Sequence, residues 1–203
     1  MFIEKRIFDI LKNSWKLIIF VGIIFAVLTL FASLLFPLEY RADAQVMIIS
    51  KSRYGVDPYT VAKSGERIAS NLSEVIGTQD FFDKVMSQSG YGLDNSKFQN
   101  VSEKTKRKRW EKTAKTSVVY GTSMLNISAF HEDPEQAKQY AGAVAGALVS
   151  QSSDYVGGDV YFKVVNYPIV TSLPVRPNIA VNMLVSLVFG WILSALALIK
   201  RHI

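Results

Sequence analysis

The chain has 203 residues, of which 49% are hydrophobic and 20% charged, with 23 lysines and arginines against 17 aspartates and glutamates and a mean hydropathy of +0.19. It contains no cysteine, which excludes a disulfide scaffold, a thiolate metal site and a cysteine nucleophile. The length suits one domain, and the apolar surplus is too concentrated to belong to its core alone.

Residues 1–16 open the chain with Ile3, Ile7, Leu11 and Trp15 at fourfold spacing, a short amphipathic stretch suited to the inner leaflet or to extending the next helix. Residues 17–36 then run without a charge, the length that crosses the hydrocarbon layer as a helix, and residues 179–199 do the same near the other end. A cleaved leader would have a shorter apolar region and a small-residue cleavage site, so the first span reads as a retained anchor. Lys5, Arg6, Lys12 and Lys16 precede the first span, and Lys200 and Arg201 open the 200–203 tail after the second. The positive-inside rule therefore places both ends in the cytoplasm and residues 37–178 outside it. That segment holds 17 lysines and arginines against 15 acidic residues. The basic excess thus sits at the membrane flanks, and a nucleic-acid partner is not expected.

Within the outer segment, residues 40–50 alternate toward Val46 and Ile48 and predict a strand. Asp57-Pro58 caps a helix that carries Val61, Ile68, Leu72, Val75 and Ile76 and stops at Gly77. Thr78 caps a short helix over 79–88, with Phe82, Val85 and Met86 inward and Gly90 as the stop. Residues 96–115 are polar and helix-compatible, and hold the basic cluster Lys104, Lys106, Arg107, Lys108, Arg109 and Lys112 around Trp110. Two strands follow, 116–120 and 124–130, joined across Gly121. Asp133-Pro134 opens a helix with a stripe of Ala137, Tyr140, Ala141, Val144, Ala145, Leu148 and Val149, closed by Gly157-Gly158. A last strand over 160–167 leads through Pro168, Pro174 and Pro177 to the second span. Because both ends of this domain meet the bilayer, its first and last strands are expected to be neighbours. The fold class is α+β: two transmembrane helices bracketing one extracytoplasmic α/β domain with a small mixed sheet.

Two membrane spans around such a domain, the strand Gly121-Thr122-Ser123-Met124-Leu125-Asn126-Ile127-Ser128 running into Asp133-Pro134-Glu135-Gln136-Ala137, and a proline-rich entry to the second span together resemble the chain-length determinant (Wzz-type) proteins, the polysaccharide co-polymerases of bacterial surface polysaccharide assembly. The resemblance implies a non-enzymatic scaffold in the bacterial inner membrane. It implies a homo-oligomeric ring, a surface polysaccharide (capsule, O-antigen or exopolysaccharide) as client, and a polymerase or exporter as partner. The prolines at 168, 174 and 177 keep the family's step of three with Thr171 in place of one proline, a stiff junction over 168–178. Some relatives carry or engage a cytoplasmic tyrosine kinase. No GxxxxGK[ST] loop occurs and only residues 200–203 follow the second span, so a fused kinase is not expected; activating a separate tyrosine kinase is the alternative reading.

Nothing assembles a catalytic site, a metal site or a cofactor site. His131, Glu132 and Asp133 lie at a strand-to-helix corner, where Asp133 is expected to cap and the other two to face solvent. The basic cluster reads either as a surface that binds acidic polymer or lipid with Trp110 as an aromatic platform, or as a solvated helix face with Trp110 anchored in the core. In the spans, Gly22 and Ala26, and Ser186, Gly190 and Ser194, recur at fourfold spacing that lets helices approach closely.

Overall fold

The structure, a computed structural model, describes residues 11–50, 57–157 and 160–202, and the chain divides into two units: Met1–Leu38 with Arg176–Ile203, and Glu39–Val175. Most of the amphipathic reading of residues 1–16 lies outside the described residues. Residues 11–13 are helical, and a bend at Ser14 separates them from the next helix.

The first unit is a pair of helices, α1 (Trp15–Leu34) and α6 (Ile179–His202). Both are long and apolar enough to cross a membrane, with mean hydropathies of 2.9 and 2.2. Only 17% and 11% of their apolar windows are buried, so neither is the core helix of a soluble domain. Two residues at each end separate the expected first span from α1, because Trp15 and Lys16 join the helix and the chain leaves it before Pro37, whereas α6 starts at Ile179 as expected and runs past residue 199 to His202.

The second unit is a four-stranded sheet covered on one face by helices. Strand β1 (Tyr40–Ser50) pairs with β3 (Met124–His131) on one side and β4 (Val160–Val170) on the other, while β2 (Ala114–Val119) lies outside β3. First and last strands are neighbours, as expected. The sheet is antiparallel throughout rather than mixed. The β2–β3 connection is a tight hairpin, with Gly121 at φ +73 where a β-carbon would be strained. The other two pairings join strands that run in opposite directions, with no crossover returning a strand in parallel.

Alternation decides the faces. Ala42, Ala44, Val46 and Ile48 of β1 and Leu125, Ile127 and Ala129 of β3 are buried beneath the helices. Helix α5 (Pro134–Gln151) lies against β1, β3 and β4, and α2 (Pro58–Ile76) against β2 and β1. Asp57 starts α2 by accepting from the backbone N–H groups of Tyr59 and Thr60 at 2.9 and 3.2 Å. Thr78 caps α3 (Gln79–Met86), where Phe81 and Phe82 as well as Val85 are buried.

Several expected boundaries move, and the short helix expected over 79–88 ends at Met86. The polar run over 96–115 splits into a 3-10 turn (Ser96–Phe98) and α4 (Glu103–Thr113). Asn100 takes a left-handed conformation at φ 53 between them, and Ser102 caps α4. At the far end Ala114 and Lys115 join β2 opposite Ala129 and Ser128, ladder pairing having overridden helix propensity. Helix α5 ends at Gln151, and its Val149 is exposed rather than part of the buried stripe. Strand β4 runs on through Pro168 to Val170; it is an edge strand, where a missing N–H costs no ladder bond.

Candidate functional site

In the helix pair, Gly22 and Ala26 of α1 and Gly190 and Ser194 of α6 are buried, and Ser186 is half-buried. A β-carbon on Gly190 would lie 2.9 Å from the Gly22 Cα, and one on Gly22 would lie 2.3 Å from the Trp191 ring. The backbones therefore cross at these two glycines, where no side chain larger than hydrogen fits. Asn182 Nδ2 donates to Ser33 Oγ at 3.2 Å, a polar tie in an otherwise apolar seam.

Of the basic cluster, Trp110 is 1% exposed. Its ring packs edge-on against Phe82 and near Phe98, and its Nε1 donates to the Ile76 carbonyl at 2.6 Å. That carbonyl is one of those a helix leaves unpaired at its C-terminus, so Trp110 closes α2 as well as filling the core. The platform reading is corrected: an indole with no exposed face cannot stack on a ligand. Around it, Lys106 pairs with Glu103 at 3.0 Å, Arg107 with Glu111 at 3.1 Å, and Arg109 donates to the Lys97 carbonyl. A shallow depression beside α4 mixes Lys104, Arg107 and Lys108 with Glu103 and Glu111. This alternation of sign is what a solvated helix face looks like.

Pro168 does not belong to a stiff exit. Its ring and that of Tyr91 close over Gly142 of α5, where a β-carbon would come within 3.5 Å of Pro168 Cγ and 2.8 Å of Tyr91. After β4 the chain stays tied to the start of β1: the Thr171 N–H donates to the Arg41 carbonyl and the Val175 N–H to the Glu39 carbonyl, both at 2.8 Å. Pro174 stands inside this tethered run, and the Arg176–Pro177 peptide bond is cis.

At the strand-to-helix corner Asp133 accepts from the Glu135 N–H at 2.9 Å, and Glu132 is exposed and pairs with Lys97 at 2.6 Å. Proximity to Lys97 lowers the Glu132 pKa. His131, expected in solvent, is buried and stacks on Tyr140. Its Nδ1 accepts from the Asp133 N–H at 3.0 Å, and its buried Nε2 has no partner among the described residues. Burial lowers its pKa, with Lys97 acting in the same direction. The signal was present in the sequence, because His131 shares its parity in β3 with Leu125, Ile127 and Ala129.

The sequence reading passed over the uncovered face of the sheet. Arg41, Asp43 and Gln45 alternate with the core residues of β1, and Asn126 and Ser128 with those of β3, so these polar side chains share one surface. They line an open groove of about 660 Å³. Among the described residues no three metal-ligating side chains come together.

A family model described as Wzz, chain length determinant protein, matches residues 5–89, from ahead of α1 to just past α3. This agrees with the resemblance carried by the sequence, on a stretch that precedes the Gly121–Ser128 and Asp133–Ala137 motifs. No curated protein matches the chain.

Proposed function

From the chain length determinant segment at residues 5–89, we propose that this protein is a non-enzymatic membrane scaffold that oligomerises and sets the chain length, or supports the export, of a bacterial surface polysaccharide. The family match is the observation that carries the reading, since that family regulates chain length and is not catalytic. Two apolar helices fit a place in the inner membrane. The flanking lysines and arginines favour both ends in the cytoplasm, with the sheet-bearing unit on the opposite side.

The physical logic is avidity. Copies of one small domain arranged side by side offer a repetitive polymer many weak sites at once, so retention grows with polymer length without any tight pocket. Partners on this reading are further copies of the chain, the polysaccharide and its polymerase or exporter. Deleting the gene should shift or broaden the length distribution of the host's surface polysaccharide while total sugar incorporation continues. An unchanged distribution would overturn the proposal.

A further inference from the structure

We propose that the uncovered face of the sheet binds a neutral stretch of glycan along a row of side-chain amides. The strand register sets Ser117, Asn126, Gln45 and Asn166 side by side, one from each of β2, β3, β1 and β4. Two hydrogen bonds fix the row: Gln45 Nε2 donates to Asn126 Oδ1 and Asn166 Nδ2 donates to Gln45 Oε1, each at 2.8 Å. Both protons of Asn126 Nδ2 and the Asn166 Oδ1 atom are left without a protein partner among the described residues. A sugar hydroxyl donates and accepts at once, so adjacent, immobilised amide donors and acceptors suit it.

Charge selects the class of ligand. Arg41 and Asp43 are the charged side chains lining the groove, and they pair with each other at 2.9 Å; Asp43 also accepts from Ser128 Oγ at 2.6 Å. With the charges that line it internally paired, the groove itself favours uncharged hydroxyls, while Lys115 and Lys163 stand on the same face of the sheet outside its lining. A second copy of this chain docked there would have to bury the spare amide groups of the row without guaranteed partners, at a cost.

The edge strand adds an apolar rim. Strand β4 slips register twice against β1, once between Val164 and Asn166 and again between Asn166 and Ile169. Such irregularities re-aim side chains. Here they bring Asn166 into the amide row and set Tyr167, 76% exposed, at the groove. A phenol ring in that position offers an apolar surface to the C–H face of a pyranose. The groove is an open trough, a shape suited to a polymer passing across it.

The identity of the polymer rests on the scaffold reading; the site does not. The test uses the full chain in lipid nanodiscs and, as probe, repeat-unit oligosaccharides prepared from the host's own surface polysaccharide, with polygalacturonate as the acidic comparator. Binding of the oligosaccharide should persist at high salt and weaken at least about tenfold in Gln45→Ala/Asn126→Ala, whose thermal unfolding should match wild type. Lys104→Gln/Lys108→Gln should bind as wild type does. Gln45→Glu/Asn126→Asp, nearly isosteric, should lose binding too. Absence of binding by the wild-type chain, binding untouched by the amide variants, or salt-sensitive binding lost with Lys104 and Lys108 would each overturn the proposal. In the host, a length distribution altered by gene deletion but fully restored by the amide variants would sink this site and leave the scaffold reading standing. A distribution indifferent to deletion would sink the scaffold reading and leave the nanodisc result to judge the site.

Discussion

Replacing Trp110 separates a core anchor from a surface platform. The indole is fully buried among Phe82 and Phe98, so Trp110→Ala should cost about 3–5 kcal/mol, the range for truncating a buried aromatic. That is a large part of the roughly 5–15 kcal/mol by which domains are stable. Trp110→Phe keeps most of the apolar contact but removes the donor to the Ile76 carbonyl at the end of α2, for a loss of about 1–3 kcal/mol. At about 2–4 °C per kcal/mol for a chain of this size, the Phe variant should melt several degrees below wild type and the Ala variant well below that. Lys104→Gln/Lys108→Gln, on the exposed face of the same helix, should stay within about 0.5 kcal/mol. Far-UV circular dichroism melts of the detergent-solubilised chain would read all three. A Trp110→Ala protein as stable as wild type but impaired in binding polysaccharide would refute the core assignment and restore the platform.

Other consequences are as direct. Gly190→Ala brings a methyl against the Gly22 backbone, which cannot rotate away, so the helices should separate at a cost of about 1–3 kcal/mol. A disulfide formed between Ser33→Cys and Asn182→Cys in membranes should drop in yield when Gly190→Ala is added, and an unchanged yield would contradict the close crossing. His131 is neutral in its buried site and its pKa lies below the ordinary 6.5, so the unfolded chain takes up its proton first. Stability should therefore be intact above that value and fall as acidification proceeds toward the lowered native pKa, with Lys97, Asp94, Glu132 and Asp133 as the charged neighbours. Melts that fall as steeply below pH 6.5 in His131→Gln as in wild type would assign the loss elsewhere. For topology, Ser96→Cys should react with an impermeant thiol reagent in spheroplasts and Ser14→Cys should not; the reverse pattern would invert the orientation.

Much of this architecture was legible because local and global signals agree. Asp57-Pro58, Thr78 and Asp133-Pro134 announce helix starts by supplying acceptors to orphan N–H groups, and each cap is made. The alternation of β1 gave its length residue for residue. What the sequence could not display was register. Ala114 and Lys115 look helical until β3 lies beside them, and Pro168 looks like a linker until β4 proves to be an edge. The amide row was hidden for the same reason: Gln45, Asn126 and Asn166 are far apart in the chain, and only the register makes them neighbours. The basic cluster drew attention because it is contiguous, yet contiguity on a helix spreads charge around the axis rather than into a site.

On the proposed reading this chain sets polymer length without making polymer. The most direct test of that reading is the size distribution of the host's surface polysaccharide as expression of the chain is stepped from none to the wild-type level, with total incorporated sugar measured in the same cells. The account predicts that the modal length moves or sharpens with expression while incorporation stays level. Incorporation that rises and falls with the protein at a fixed length distribution would contradict it and indicate a role in synthesis itself.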